Sequence, residues 1–365
     1  MKFSAARETL LKPLQTVVGV VERRQTMPIL SNVLLSTEGS KLSITATDLE
    51  VEMVAEAEVK GDGSGDITVP GRKLHDIFRA LPDGTSVEFS VSGERLTVKA
   101  GRSRFTLSTL RAADFPTIDE IGAKQTLRLN KADLRRLVEK THFSMAQQDV
   151  RYYLNGLLLE TEKKRLRAVA TDGHRLALSE VDLLGPATRD EQLIVPRKGV
   201  LELQRLLGNE GNVELALGTN HVRAQIGDIR FTSKLIDGRF PEYSRVIPND
   251  PPKLVKADRE TLRAALQRAA ILSNEKYRGI RLALRSGLLV LQSHNPEQEE
   301  AEEELEVAYQ GEEVEIGFNV NYLLDALAAV DGNEVALGLT DANNSCLLTS
   351  PGVLTTKYVV MPMRL

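Results

Sequence analysis

The stretch Thr171-Asp172-Gly173-His174-Arg175-Leu176 places a carboxylate, an imidazole and a guanidinium within four residues, directly after the strand-like run Ala168-Val169-Ala170. Taken alone it suggests a catalytic cluster. Two other passages suggest a different role. Thr47-Asp48 closes Ser43-Ile44-Thr45-Ala46, and Asn295-Pro296 closes Leu291-Gln292-Ser293-His294. Thr47 lies 124 positions before Thr171, and Thr171 lies 124 before Asn295. One pattern at equal spacing points to three copies of one unit. A chain of 365 residues then gives units of about 120, an ordinary size for a domain with its own core. Turn and proline residues gather near 119–124 and 248–252, which places the domains at 1–120, 121–248 and 249–365.

Composition narrows the class. With 42% hydrophobic and 27% charged residues the chain is globular rather than disordered. It has no Trp and only 4% aromatics, so its cores must be aliphatic. The single Cys346 excludes a disulfide framework and a multi-cysteine zinc site, and fits a reducing compartment. Met1-Lys2-Phe3 leads into a polar amphipathic segment without an apolar h-region, and no run approaches the roughly 18 apolar residues of a membrane span. The expectation is a soluble cytoplasmic protein. The net charge of −4 conceals a segregation: residues 297–306 hold seven glutamates and no Lys or Arg, so the remainder carries +3.

Hydrophobic periodicity supplies the elements. Leu10, Leu14, Val17 and Val18 predict a helix over 5–18, kinked or interrupted at Pro13. Strands are expected at 33–35 and 42–46 around a Glu38-Gly39 turn, and at 51–59, followed by a flexible glycine loop over 60–66. The pattern then restarts after Val69-Pro70 with a helix at 72–80 and strands at 87–91, 96–98 and 104–107. A second copy gives helices at 131–143 and 198–207, with Arg230-Phe231-Thr232 repeating Arg104-Phe105-Thr106. The third gives helices at 259–272 and 321–330. Each unit reads as helix plus three strands, twice over. The fold class is α+β, with two helices per domain packed on antiparallel sheets.

The outer helix faces are basic. Arg7, Lys12, Arg72, Lys73 and Arg79 lie on the first unit's helices; Lys131, Arg135, Arg136, Lys140, Arg197, Lys198 and Arg205 lie on the second's. Singly these are ordinary solvated positions. Together they would attract phosphate without reading bases. No helix-turn-helix, zinc finger or RNP-like aromatic motif is present, which argues against sequence-specific recognition.

Several long stretches carry a family resemblance: Thr171-Asp172-Gly173-His174-Arg175-Leu176, Val195-Pro196-Arg197-Lys198, Phe231-Thr232-Ser233-Lys234-Leu235, Asn295-Pro296-Glu297-Gln298-Glu299-Glu300 and Tyr358-Val359-Val360-Met361-Pro362-Met363-Arg364-Leu365. Over its whole length the chain resembles the beta subunit of bacterial DNA polymerase III, the bacterial sliding clamps. The resemblance implies a head-to-tail homodimer of three-domain chains, a pseudo-six-fold ring around duplex DNA that binds without sequence preference. It implies a non-catalytic processivity subunit of a DNA-directed DNA polymerase holoenzyme, active in DNA replication with no cofactor and no metal. The implied partners are the replicative polymerase alpha subunit, the clamp loader, and other polymerases and repair proteins, docking through short Gln/Leu/Phe motifs.

Carried over residue by residue, the peptide-binding pocket comprises Leu154, Thr171, Gly173, His174, Arg175, Leu176, Pro241, Arg245, Val246, Val359, Met361, Pro362, Met363 and Arg364. Met and Leu suit an adaptable apolar groove, with Arg and His orienting a peptide from its rim. Arg24, Arg72, Gln148, Tyr152, Tyr153 and Lys198 match DNA-touching positions, although the two tyrosines also read as core aromatics. The dimer interface would set Lys73, Arg102, Arg104, Phe105 and Leu107 against Ile271, Leu272, Glu299, Glu300 and Glu303 of a second chain. The glutamate run also reads as a solvated acidic loop or a hard-cation site.

Two other classes compete. An enzyme could use Asp172 and His174, which point the same way if the segment is extended, but no nucleophile is adjacent and no phosphate-cradling glycine loop occurs. A purely structural oligomer would share the repeat, yet need neither basic helices nor Met361-Pro362-Met363.

Overall fold

The computed structural model describes residues 1–21, 27–61, 63–118 and 120–364. Among these residues lie six α-helices and 24 strands, arranged in four antiparallel sheets. The order strand, helix, three strands recurs six times. The strand that leads each copy is the element periodicity misses: Lys2–Ala6, Gly65–Pro70, Gln125–Asn130, Glu191–Pro196, Lys253–Asp258 and Val314–Asn319. Each is five or six residues long and runs into its helix with no intervening residue, so no turn signal separates the two. Gly65–Pro70 also begins inside the expected glycine loop.

The helices are α1 (Arg7–Val18), α2 (Gly71–Ala80), α3 (Lys131–Thr141), α4 (Arg197–Leu206), α5 (Arg259–Ala270) and α6 (Val320–Ala329). Helix α1 continues through Pro13 and buries Leu10, Leu14, Val17 and Val18. Helix α3 stops at Thr141, followed by a 3-10 turn, His142–Ser144. Helix α5 stops at Ala270, which leaves Ile271 and Leu272 beyond its end. Its start is fixed by Asp258, whose carboxylate accepts the Thr261 N–H at 2.8 Å.

By contacts the chain divides into two compact units. The first comprises Met1–Ala132, Leu183–Thr188 and Lys198–Leu235. It holds a four-stranded sheet ordered Lys2–Ala6, Ser86–Ser92, Arg95–Ala100, Ser103–Ser108. Its eight-stranded sheet joins two quartets where Val51–Glu58 pairs with Ile229–Lys234. The second unit comprises Asp133–Asp182, Arg189–Arg197 and Ile236–Leu365. There the eight-stranded sheet joins its quartets where Arg175–Asp182 pairs with Thr356–Val360. Its four-stranded sheet is ordered Glu300–Glu306, Leu288–His294, Gly279–Arg285, Val314–Asn319. The glutamate run is therefore chiefly an edge strand rather than a loop. The cores are aliphatic as composition requires, with Leu262, Leu266, Leu282 and Leu291 around Phe318 in the second unit. Full burial of one such side chain stabilises by about 1.5–3 kcal/mol.

Several helix bases are engaged within the chain rather than free on a face. Arg7 Nε donates to the Phe78 carbonyl at 2.8 Å and its Nη1 meets Asp83 at 2.6 Å. Arg136 and Lys140 both bind Asp331, and Lys140 also donates to the Ala329 carbonyl. Arg205 reaches the Thr16 carbonyl at 2.6 Å.

Candidate peptide-binding site and interfaces

The segment that looked catalytic is a tight turn. Thr171 Oγ1 donates to the Arg175 carbonyl at 2.6 Å and accepts the Gly173 N–H at 3.1 Å. Asp172 Oδ1 accepts the backbone N–H groups of His174 and Arg175 at 2.9 and 3.0 Å. The same four bonds occur 124 residues earlier: Thr47 to Val51 and Leu49, Asp48 to Glu50 and Val51. Gly173 and Leu49 both have positive φ, 87° and 76°. A Cβ at 173 would also stand 2.9 Å from the Arg151 guanidinium, which would have to shift. The carboxylate thus holds the turn and is not paired with His174 for proton transfer.

The third copy departs by one position. Asn295 N–H donates to the Glu299 carbonyl at 3.1 Å, as Asp48 N–H does to Val51 at 3.2 Å, and Asn295 Oδ1 accepts the Glu299 N–H. Asn295 therefore stands for Asp48 and Asp172, not for Thr47 and Thr171, and its turn is one residue longer.

Arg175 is engaged within the chain through all three of its guanidinium nitrogens. It binds Asp172 at 3.2 Å, Asp325, and the Phe143 carbonyl at 2.7 Å, and lies 4.6 Å from the Tyr322 ring centroid. His174, the other residue expected at the rim, is exposed. Leu154, Leu176 and Val359 come together with Leu158, Val169, Ile194 and Phe240 as one apolar cluster. Leu154, Leu176 and Val359 are almost wholly covered, 1%, 2% and 0% exposed. Solvent reaches Pro241, Arg245 and Val246, and Met361 in part. Arg245 pairs with Glu242 at 2.7 Å. Met361 is fixed by its N–H to the His174 carbonyl and by the Ser345 hydroxyl at its sulfur. Met363 and Arg364 line a cavity of about 310 Å³ with Asn274, Tyr277, Gly279 and His294.

Beside this cluster lies a 3-10 turn, Tyr243–Val246, and sequence reasoning missed what holds it. The Tyr243 hydroxyl donates to Glu160 and accepts from Arg167 at 2.9 Å. Arg167 also binds Glu160 at 2.8 Å and Glu180 at 2.7 Å. Burial and the Glu160 carboxylate push the Tyr243 phenol up to about 12. Burial would raise the Glu160 carboxyl, but hydrogen bonds from Tyr243, Gln192 and Arg167 outweigh it and hold the group below its usual range. The available signal was a charged residue after an apolar run, Leu157-Leu158-Leu159-Glu160.

The DNA and interface positions are scattered by element. Arg24 lies outside the described residues. Arg72 donates to the Val21 carbonyl and, with Gln15, Lys73, His75 and Arg79, lines a cavity of about 750 Å³ between α1 and α2. Lys198 is ion-paired with Asp48, the carboxylate of the first turn. Gln148 is exposed with φ 55°. The tyrosines divide: Tyr152 is 57% exposed, whereas Tyr153 packs against the apolar cluster. Lys73 sits on α2, apart from Arg102, Arg104, Phe105 and Leu107, which belong to the edge strand Ser103–Ser108 and the turn before it. Ile271 is 74% exposed. Glu303 already pairs with Arg268 at 2.6 Å, while Glu299 closes the Asn295 turn and Glu300 is exposed. Among the described residues no group of three His, Cys, Asp or Glu could hold a metal, and no helix is long and apolar enough to cross a membrane.

A βαβββ order repeated six times, with an apolar cluster at its C-terminal strand, defines a class, and comparison with known proteins identifies it. The chain matches three family descriptions in succession: DNA polymerase III beta subunit N-terminal domain over residues 1–119, central domain over 128–242 and C-terminal domain over 244–364. It is 57% identical to the beta sliding clamp of Pseudomonas putida and 52% identical to that of Escherichia coli strain K12, covering 100% of both chains in each case. The crystal structure of the Pseudomonas aeruginosa DNA polymerase III subunit beta superposes with a TM-score of 0.98 at 55% identity over 100% of both chains. The chain belongs to the DNA polymerase III beta subunit family, the sliding clamps. Such a clamp is a processivity factor of the polymerase holoenzyme and is not itself catalytic.

Proposed function

We propose that two copies of this chain, each with domains 1–120, 121–248 and 249–365, close head to tail around duplex DNA in the cytoplasm and tether the replicative polymerase there. Arg24, Arg72, Gln148, Tyr152, Tyr153 and Lys198 touch the sugar-phosphate backbone. The groove over Leu154, Leu176 and Val359, with His174, Val246 and Met361 at its mouth, takes short Gln/Leu/Phe peptides from the polymerase, the clamp loader and repair proteins. Leu and Phe anchors burying against such a groove, less the cost of ordering the peptide, give micromolar binding, on the order of −8 kcal/mol.

The observation that carries the ring is a repeat with two unfilled edges. Inside the chain, Val51–Glu58 pairs with Ile229–Lys234, and Arg175–Asp182 pairs with Thr356–Val360. The next counterparts are Glu300–Glu306, 124 residues after the second of these, and Ser103–Ser108, 126 before Ile229–Lys234; both are free edges. In the filled joints an aromatic ring is buried: Phe231 opposite Met53 and Tyr358 opposite Ala177. The same register puts the partner's Phe105 opposite Ala301, and Phe105 is only half-buried in the single chain. Phe143 stacks 5.9 Å from Tyr358, and Ile271 holds its counterpart position. Arg104 would face Glu302, with Glu300 beside it, so unlike ends attract and like ends repel.

Retention on DNA tests this reading. Clamps loaded on nicked circular duplex should stay bound through a high-salt wash and be released once the circle is cut. Equal loss from circular and linear DNA would rule out encirclement.

A further inference from the structure

We propose that the first unit contains a second cradle of the same construction as the peptide groove, and that Glu52 reserves it for the chain's own segment at Ile118. Each chain then offers a peptide one docking site rather than two. The inference rests on the reading of Leu154, Leu176 and Val359 as the floor of the peptide site.

The two cradles correspond position by position. Leu30 lies 124 residues before Leu154, and both are 1% exposed. Phe115 lies 125 before Phe240, and both are 6% exposed. Glu52 pairs with Thr232 across the joint in the first unit, where Leu176 pairs with Val359 in the second. Glu52 is 1% exposed and Thr232 0%. Thr45 and Thr68, both buried, stand where the second cradle has Val169 and Ile194. The backbone is repeated and Leu30 and Phe115 keep their apolar places, but the floor at the joint is polar where the second cradle's is apolar.

The polar floor is already occupied. Glu52 Oε2 accepts the Ile118 N–H at 2.7 Å. Arg223 Nη2 donates to the Ile118 carbonyl at 2.9 Å, and Arg223 Nε donates to Thr232 Oγ1 at 3.0 Å. Both edges of the Ile118 residue are thereby tied to the cradle. In the second unit its counterpart, 125 residues on, is Tyr243, which is drawn instead to Glu160 and Arg167. The first unit has Ser36 and Ser43 at those two positions and could not hold a tyrosine in that way. An incoming Leu or Phe would have to displace Ile118 and bury apolar surface against a carboxylate deprived of that donor. The Glu and Thr pair recurs on the two free edges as Glu300 and Thr106, so the middle joint alone carries Leu and Val.

Calorimetric titration of the full chain with a synthetic peptide of leading Gln and trailing Leu and Phe provides the test. Wild type should bind one peptide per chain, and Leu176→Glu should weaken binding at least 100-fold; retained binding there would overturn the peptide-site reading itself. The double variant Glu52→Leu, Thr232→Val should bind two peptides per chain, and a well-folded double variant that still binds one would overturn the role given to Glu52. Independently of that variant's folding, Glu52→Met, which has no oxygen to accept the bond, should speed hydrogen exchange at the Ile118 amide at least tenfold while leaving peptide affinity at the Leu176 groove unchanged. Unaltered protection of Ile118 would equally overturn the proposal.

Discussion

Asp172 and His174 lie two apart in the sequence and have unrelated tasks. Asp172 closes a turn by accepting two backbone N–H groups and an arginine, whereas the side chain of His174 is exposed. Asp172→Ala should therefore destabilise the fold by about 1–3 kcal/mol, the cost of leaving such groups unpaired, while His174→Ala should change stability by less than about 0.5 kcal/mol. Urea melts of the two variants compare them directly, and equal losses would contradict the assignment. Glu160 gives a pH-dependent counterpart. Its folded pKa is depressed, so its pairing with Arg167 and Tyr243 stabilises the protein above the ordinary glutamate range and is lost as pH falls through the folded value. The stability gap between wild type and Glu160→Gln should be open at neutral pH and close in acid. A gap that stays constant down to acid denaturation would show that the carboxylate contributes no charge-dependent stability.

At the level of elements, the sequence announces those with a long period and conceals those without. Leu10, Leu14, Val17 and Val18 are enough to locate α1, and Pro13 proves compatible with its continuing. The six lead-in strands are concealed because each meets its helix without a turn. The glutamate run is ambiguous for a different reason: an edge strand with exposed faces has the composition of a loop, and only its ladder with Leu288–His294 distinguishes it. The apolar cluster was partly legible, since Leu154, Leu176 and Val359 do meet, but the engagement of Arg175 by Asp325 and Phe143 depends on residues 150 and 32 positions away. No local pattern could report those contacts. Residues at the end of α5 carry the next expectation. Ile271→Ala with Leu272→Ala should give folded monomers, because truncation of a fully buried Leu or Ile costs about 2–5 kcal/mol and an interface loses that from both ends of the ring. Sedimentation showing an unchanged dimer would remove these residues from the interface.

For the whole molecule, the internal period does more than any single motif. Two joints are filled within the chain and a third pair of edges is left open, and one register relates all three. That register places Ser103 of one copy opposite Glu303 of the next, as Ile229 lies opposite Ala55 and Thr356 opposite Ser179. Cα atoms paired in this way stand about 4.5–5.5 Å apart, within the range a disulfide spans. Cys346 is fully buried, and burial pushes its thiol up to about 12, so it would not compete. The decisive measurement is oxidation of a Ser103→Cys, Glu303→Cys chain followed by denaturing electrophoresis without reductant. A head-to-tail ring gives a covalent dimer closed at both joints, which after loading remains locked on circular DNA even in denaturant. A product that remains monomeric would contradict the head-to-tail ring.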